Sequence, residues 1–195
     1  MNKKSVLRYA FVALLAIVAG FALVVVLQPA DFRVTRSAAI AAPPGVVFAQ
    51  VNDLRQWEAW SPWTKLDPAA RETFEGPRAG TGAVLRWAGN SEVGEGSMRI
   101  TESRPNEFIQ FRLEFLKPFE ATSTAEFVFT PEGGQTVVSW TMFGRNSFMA
   151  KAVVLFLDCD AMVGGQFEKG LAQLKSVAET AAQSSPETGP HHARS

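Results

Sequence analysis

Carboxylates are the side chains of this sequence best suited to chemistry inside a domain, and Asp160 is the first candidate. It precedes Phe167 by close to two helical turns, so the two side chains share one face if the helix is continuous. Inside an apolar cavity, loss of solvation would raise the pKa of Asp160 and suit it to acid catalysis or to binding a polar ligand head. The alternative, which we favour, is that Asp160 stays charged and caps the helix that follows.

The sequence shows no complete catalytic set beyond this carboxylate. Glu102 is in phase with the inward residues of its predicted strand, but it lies at the strand end, where water reaches it. The histidines, His191 and His192, lie in a polar tail, so the domain cannot form a Ser-His-Asp set and Cys159 has no histidine base. With one cysteine and no histidine in the domain, we expect no disulfide, no metal and no cofactor.

Two features argue against a P-loop phosphate site and against nucleic acid as a partner. The glycine-rich segment Gly76 to Gly82 lacks the Lys-Ser pair of a P-loop and leads into a predicted strand, which favours a plain hairpin connection. The chain has 19 basic and 19 acidic residues, and no run of Lys or Arg follows the N-terminus. Because phosphate binding needs a concentrated basic surface, nucleic acid is not an expected partner.

A long amphipathic helix is predicted near the C-terminus. From Asp160 to Ala182, apolar residues recur at steps of three and four, and polar residues occupy the opposite face. The apolar stripe consists of Val163, Phe167, Leu171, Leu174 and Ala178. We expect this helix to cover the apolar face of a sheet, because the segments before it are typical of strands.

The predicted strands alternate apolar and polar side chains. Along Phe108 to Phe115, apolar residues alternate with Gln110, Arg112 and Glu114, which is the period of a half-buried strand. The other predicted strands are Phe32–Ile40, Glu72–Glu75, Ala83–Ala88, Glu95–Ser103, Ala121–Thr130 and Thr136–Phe143. Turn residues separate several of them, so we expect a mostly antiparallel sheet.

Two short helices are predicted directly after the first strand. Pro43–Pro44 ends that strand and opens the first helix, since proline suits a first helical turn. Trp57, Trp60 and Trp63 follow, and they could line a cavity mouth or touch a bilayer interface, where tryptophan is favoured. Packing of a short helix onto the sheet is the role that we favour for them.

The segment from Tyr9 to Leu27 has no charged side chain. As a helix, at about 1.5 Å per residue, it would be roughly 28 Å long, close to the hydrocarbon core of a bilayer. A cleaved signal peptide is the rival interpretation. Its best small-x-small site, Gly20 to Ala22, would leave an apolar segment exposed, so we predict an uncleaved transmembrane anchor over residues 9–27.

The distribution of charge predicts the orientation of the anchor, and composition predicts the state of the C-terminal tail. Lys3, Lys4 and Arg8 precede the anchor, so the positive-inside rule favours a cytoplasmic N-terminus over residues 1–8. The folded domain would then lie outside the cytoplasm, on a single-pass membrane protein. Residues 183–195 are rich in Ser, Pro, Thr and Gly, and we predict a disordered tail.

Several segments carry a family resemblance: Ile40 to Pro44, Val47 to Asp53, Trp57 to Trp63, Gly94 to Gly96 and Met162 to Leu171. Together they resemble the START/Bet v 1-like (SRPBCC) superfamily, in particular its polyketide cyclase/dehydrase-like branch, over roughly residues 32–182. The resemblance implies an α+β helix-grip fold, in which a curved antiparallel sheet wraps round a long C-terminal helix with a hydrophobic cavity between them. Members bind lipids, sterols, polyketides or other apolar ligands, and a minority are enzymes.

Strand and helix phase, taken with the resemblance, predict which side chains line such a cavity. They are Phe111, Leu113, Phe127, Trp140, Phe167, Leu171 and Asp160. Periodicity does not separate a cavity from a solid core, so both remain open. We predict a membrane-anchored binding domain for an apolar small molecule or lipid, without an enzymatic role. The alternatives are a polyketide cyclase/dehydratase-type enzyme and a protein-interaction scaffold with a filled core.

Overall fold

The computed structural model describes residues 3–156 and 159–184. Its helices are α1 (Lys3–Leu27), α2 (Pro44–Asn52), α3 (Trp57–Trp60), α4 (Phe148–Val154) and α5 (Cys159–Ser184), with a 3₁₀ turn at Leu54–Gln56. Its strands are β1 (Asp31–Ile40), β2 (Arg71–Glu75), β3 (Val84–Ala88), β4 (Glu95–Arg104), β5 (Phe108–Lys117), β6 (Ala121–Glu132) and β7 (Gln135–Arg145).

These seven strands form one antiparallel sheet in the order β1-β7-β6-β5-β4-β3-β2. From β2 to β7, strands that follow one another in the sequence are neighbours in the sheet. The strand β1 instead pairs with β7 along its whole length, from Asp31 opposite Arg145 to Ile40 opposite Thr136. With α5 against this curved sheet, the predicted α+β helix-grip fold is confirmed.

The helix α5 packs on the sheet through the predicted apolar stripe. Phe167, Leu171 and Leu174 are almost completely buried. The helix is continuous through Gly164, and Gly170 lies so close to β7 that a Cβ there would be 2.8 Å from Cζ3 of Trp140. Only glycine permits this approach, and α5 therefore lies directly on the Trp140 ring.

An aromatic cluster forms the centre of the core. Phe127 stacks on Trp140 with ring centroids 4.8 Å apart, and Trp57 contacts both rings edge to face. Trp60 lies at the same junction, 4.5 Å from Trp57. Full burial of a large apolar side chain contributes about 1.5–3 kcal/mol, so this cluster is a principal source of stability. It also confirms that the first two tryptophans after α2 pack onto the sheet.

Two segments differ from the sequence expectations or extend them. The short helix α4 lies in a stretch for which we predicted no separate element. Helix α5 extends to Ser184, so Gln183 and Ser184 are helical rather than part of a tail. The rest of the predicted tail, residues 185–195, lies outside the described residues.

The N-terminal helix α1 stands apart from the packed core. Over Leu7–Leu27 it is long and apolar enough to cross a membrane, and nearly all of its side chains are exposed. That finding concerns length and composition, which a signal sequence also satisfies.

Candidate binding cavity

A cavity of about 390 Å³ lies between the sheet, the N-terminal half of α5 and the segment that follows α3. This volume falls within the range of about 300–1,000 Å³ that is typical of small-molecule sites. The lining residues are Trp57, Glu58, Ser61, Trp63, Thr64, Asp67, Pro68, Ala70, Glu72, Leu85, Trp87, Val93, Met98, Leu113, Phe115, Ala125, Trp140, Met142, Val163 and Phe167.

The walls of the cavity are mostly apolar. Strand alternation explains this, because Leu113 and Phe115 of β5 face the same side of the sheet as Met142 of β7. Helix α5 closes the opposite side with Val163 and Phe167. An apolar ligand segment would therefore find apolar contacts on both sides.

The structure places the predicted lining residues in three environments, which are the cavity, the packed core beside it and, for Asp160, the protein surface. Leu113, Trp140 and Phe167 lie on the cavity. Phe111, Phe127 and Leu171 are instead buried in the packed core beside it, with at most 2% of each residue exposed. Trp57 separates the two regions, since it lines the cavity while its ring lies 5.5 Å from that of Phe111.

Asp160 lies on the protein surface, away from the cavity lining. Its carboxylate accepts a hydrogen bond from Nη2 of Arg36 at 2.9 Å, and Nε of the same arginine donates to Glu168 at 2.8 Å. The hydrogen bond from Arg36 holds the pKa of Asp160 below its ordinary value. Asp160 thus ties the first turn of α5 to β1, and a role as a catalytic acid in the cavity receives no support from its position.

Carboxylates that sequence reasoning passed over lie on the cavity instead. Glu58, Asp67 and Glu72 all contribute to its lining. Asp67 has a structural role, because it accepts hydrogen bonds from the backbone N–H groups of Asn90 and Ala69. Glu72 has no such partner in the described part of the chain.

The carboxyl group of Glu72 is the titratable group in the cavity with a raised pKa. Partial burial is the larger cause, and the negative charge of Glu58 adds to it. The register of the hairpin could have revealed this residue, because Glu72 pairs with Trp87 and therefore shares its inward face. The alternation of Leu85 and Trp87 is visible in the sequence of β3, but the residue of β2 that lies opposite Trp87 depends on the pairing of the two strands.

The indole N–H of Trp140 is a second polar feature of this region. The corresponding groups of Trp57 and Trp60 donate to the carbonyl oxygens of Val51 and Gln50. Nε1 of Trp140 has no hydrogen-bond partner among residues 3–156 and 159–184, although only 2% of this residue is exposed. A buried donor without an acceptor is unfavourable by about 1–3 kcal/mol, and this nitrogen is buried within the core and not on the cavity surface.

Comparison with known proteins identifies a family. The family model described as "Polyketide cyclase / dehydrase and lipid transport" matches residues 31–179, nearly the whole of the sheet and α5. No curated protein matches the sequence.

Solved structures share the fold at low sequence identity. A protein from Mycobacterium smegmatis is 22% identical, with 76% of this chain and 92% of that chain covered and a TM-score of 0.54. The Aha1 dimer from Colwellia psychrerythraea is 16% identical, with 76% and 96% covered and a TM-score of 0.55. The di-domain ARO/CYC StfQ from the steffimycin biosynthetic pathway is 14% identical, with 79% and 52% covered and a TM-score of 0.57.

Proposed function

Because the chain belongs to the polyketide cyclase / dehydrase and lipid transport family, we propose that its cavity binds an apolar small molecule or a lipid and that the protein acts as a carrier or sensor. The observation that carries the proposal is the cavity of about 390 Å³ with apolar walls on both the sheet and the helix side. Each methylene group that leaves water for such a site contributes about 0.8 kcal/mol. The same cavity counts against a scaffold with a filled core.

The expected ligand is an apolar molecule. The walls supply apolar contact on both sides, whereas Nε1 of Trp140 is buried within the core and is not available to a ligand. Within a series of fatty acids, a longer acyl chain should therefore bind more tightly, by about 0.8 kcal/mol for each added methylene group that the cavity still encloses.

Quenching of tryptophan fluorescence tests binding. All five tryptophans lie in the folded domain, and Trp57, Trp63, Trp87 and Trp140 line the cavity. With the full chain in lipid nanodiscs, a brominated fatty acid should quench this fluorescence saturably. Ala125→Phe, which projects a ring into the cavity, should weaken binding by at least about tenfold, equivalent to about 1.4 kcal/mol.

The matched control lies on the same strand. Val128→Phe places a ring on the exposed face of β6, where 41% of Val128 is exposed, and should bind the brominated fatty acid as the wild type does. If the two variants bind equally, quenching does not arise in the cavity and the carrier proposal fails. Unsaturable quenching in the wild type would lead to the same conclusion.

An acid-catalysed cyclisation or dehydration is the second candidate, and Glu72 is the observation that favours it. A carboxyl with a raised pKa can donate its proton to a hydroxyl group that leaves as water. The neighbouring Glu58 carboxylate would accept the proton from the adjacent carbon as the double bond forms. The full chain should then convert β-hydroxy ketones, and Glu72→Gln should abolish turnover while fatty-acid quenching persists. If no ketone of such a series is converted, the enzymatic candidate is rejected and the carrier function is retained.

We also propose that α1 stays attached as a transmembrane anchor, with residues 1–8 in the cytoplasm and the domain at residues 32–182 outside it. Its support is the apolar span Leu7–Leu27 and the basic residues Lys3, Lys4 and Arg8, which lie before this span or in its first turn. Membrane fractions should contain the full-length chain. In a Cys159→Ser background, Thr130→Cys should react with a membrane-impermeant maleimide from outside intact cells. A soluble form that begins after residue 22 would show that the segment is a cleaved signal peptide.

A further inference from the structure

Exposed apolar side chains of the domain are gathered at one end of the sheet. Outside α1, nine large apolar residues of the described chain are exposed, and eight of them lie near this end. The eight are Leu116, Phe119, Phe148, Met149, Val153, Val154, Phe156 and Met162, and we call this set the apolar rim. The ninth, Val128, lies at the far end, where it pairs with Phe108 at the start of β5.

Strand register explains why distant parts of the sequence meet in the rim. At this end of the sheet Asp31, which opens β1, lies opposite Arg145, which closes β7. The β5–β6 hairpin turns beside them, because Ser123 of β6 pairs with Gly144 of β7. The end of α1, the hairpin with Phe119 and the start of α4 therefore lie at the same edge.

Helix α4 is the largest part of the rim and has no buried residue. From Phe148 to Phe156, two residues beyond the end of the helix, every side chain except that of Lys151 is apolar. Phe156 is 77% exposed, and Met149 is 60% exposed. A contiguous apolar surface of this kind in contact with water is unfavourable and is typical of a site of interaction.

Direct contacts join the rim to the end of α1. The rings of Phe21 and Phe156 stack with their centroids 6.3 Å apart. Nζ of Lys151 donates a hydrogen bond to the carbonyl oxygen of Val26 at 3.1 Å, and Val25 is completely buried. The apolar surfaces of α1 and of the segment around α4 thus meet, with Lys151 as the polar group at their junction.

The cavity extends toward the same edge of the domain. Phe115, near the end of β5, and Met142, near the end of β7, both line it. The side chain of Leu116, the next residue, points to the opposite face of the sheet. A ligand in the cavity would therefore lie near the same end of the sheet as the rim, although not in contact with every rim residue.

We propose that the apolar rim lies at the boundary between headgroups and acyl chains of the bilayer that α1 spans, and that ligand passes between this bilayer and the cavity without crossing bulk water. The proposal rests on α1 as an anchor and on the cavity as a ligand site. The bilayer is the occupant that the structure favours, because α1 ends directly against α4 and holds the rim beside the membrane. A surface of this kind at the headgroup boundary would bind the bilayer through its apolar area.

Depth-dependent quenching tests the position of the rim. In a Cys159→Ser background, a polarity-sensitive fluorophore is attached at Phe119→Cys or Val153→Cys, with the full chain reconstituted into phosphatidylcholine vesicles. Its emission should shift to the blue and be quenched by lipids that carry a nitroxide on the acyl chain. The matched control is Val128→Cys, an exposed apolar position at the far end, which should show water-like emission and no quenching.

Each outcome supports or overturns the rim proposal. Water-like emission at Phe119→Cys in vesicles that retain the protein would overturn it, even if the brominated fatty acid still bound in the cavity. A blue-shifted emission that nitroxide lipids do not quench would have a different meaning. If this blue shift is lost as the protein is diluted in the vesicles, the rim binds a second copy of the chain and not the bilayer. Loss of the protein from the vesicles on washing would instead contradict the anchor.

Transfer kinetics test the route of the ligand. The double variant Phe119→Asp/Val153→Asp places charge in the rim and leaves the cavity lining intact. Uptake of a brominated fatty acid from vesicles should slow by at least about fivefold, with its equilibrium quenching unchanged, since a transfer barrier alters rates and not occupancy. Unchanged rates would show that ligand enters from water.

Discussion

The apolar face of the sheet has two halves that share one alternation pattern and differ in what covers them. In the packed half, Phe111 and Phe127 lie under α2 and α3 and are almost completely buried. In the hollow half, Leu113 and Met142 face the cavity beneath the irregular segment 61–70. The side chains of the sheet are equally apolar in both halves, so the covering segment decides which half is filled.

The covering segments differ in bulk and in rigidity. Trp57 and Trp60 fill the packed half with large rings, each fixed by a hydrogen bond from its indole N–H to a carbonyl of the α2 region. Over the hollow half, segment 61–70 supplies a single large ring, that of Trp63, beside the smaller side chains of Ser61, Thr64 and Ala70. A cavity therefore remains where the chain crosses the sheet without a second pair of large rings.

The largest expected difference between the two halves is in the free energy of unfolding that is lost when a side chain is truncated to alanine. Phe127→Ala removes a completely buried ring and should lower the free energy of unfolding by about 3–5 kcal/mol. Leu113→Ala enlarges an existing cavity and should lower it by less than about 1.5 kcal/mol. Urea unfolding of the full chain in detergent micelles, followed by tryptophan fluorescence, measures both. Equal losses would show that the two halves are packed alike.

Replacement of a smaller side chain by tryptophan should give the next largest difference in stability between the two halves. Leu171 is 2% exposed and belongs to the packed half, so Leu171→Trp should destabilise the domain by about 1–3 kcal/mol through overpacking. Val163→Trp, about two turns earlier on the same helix and on the cavity wall, should reduce stability less and should block quenching by the brominated fatty acid. A stable Leu171→Trp that also loses quenching would extend the cavity into the region that we describe as packed.

These differences mark the limit of what the sequence could predict. Period-two alternation identified the inward face of β5 and β6 correctly, and the spacing of Phe167, Leu171 and Leu174 identified the covering face of α5. Both patterns report a direction relative to the sheet. Neither pattern reports how far the covering layer lies from that face. This spacing is the reason that Phe111 is buried in the core whereas Leu113 faces the cavity.

The candidate site depended on tertiary pairing that local patterns do not contain. Asp160 is in helical phase with Phe167, but Arg36 of β1 holds it at the surface through an ion pair between residues far apart in the sequence. Glu72 lies on the cavity because β2 pairs with β3, a register that a short strand does not specify by itself. The apolar rim likewise results from register, since its members come from three separate segments.

The pH dependence of stability should distinguish the Glu72 carboxyl of the hollow half from a solvated one. Its folded-state pKa is raised above the ordinary value of 4.5, so the folded state binds the proton more tightly than the unfolded state. The stability that this proton contributes is complete below the unfolded pKa and is lost as pH rises through the folded pKa. Relative to the wild type, Glu72→Gln should therefore gain stability as pH rises through this window, by less than about 1 kcal/mol because the side chain is partly exposed.

The measurement is the urea midpoint of the wild type and of Glu72→Gln between the unfolded-state and the folded-state pKa of Glu72. The control is Glu75→Gln. Glu75 lies on the same strand, and its pKa is lowered by the hydrogen bond from Arg86, so its replacement should change the profile in the opposite direction. Parallel profiles for the wild type and Glu72→Gln would indicate that the Glu72 carboxyl is fully solvated. The cavity would then lack the acid that the enzymatic candidate requires.

Asp160→Asn should have the smallest effect and should leave both halves unchanged. The Arg36 hydrogen bond lowers the folded-state pKa of Asp160 below its ordinary value of 3.8, so its contribution to stability is present above that value and is lost as pH falls through the folded pKa. Asparagine still accepts a hydrogen bond from Arg36, and Glu168 retains its own. The variant should match the wild type at neutral pH in stability and in fatty-acid quenching, and differ only in a flatter decline of the urea midpoint in acid. A cavity acid would behave in the opposite way, because its replacement would alter quenching at neutral pH while the acid decline stayed the same.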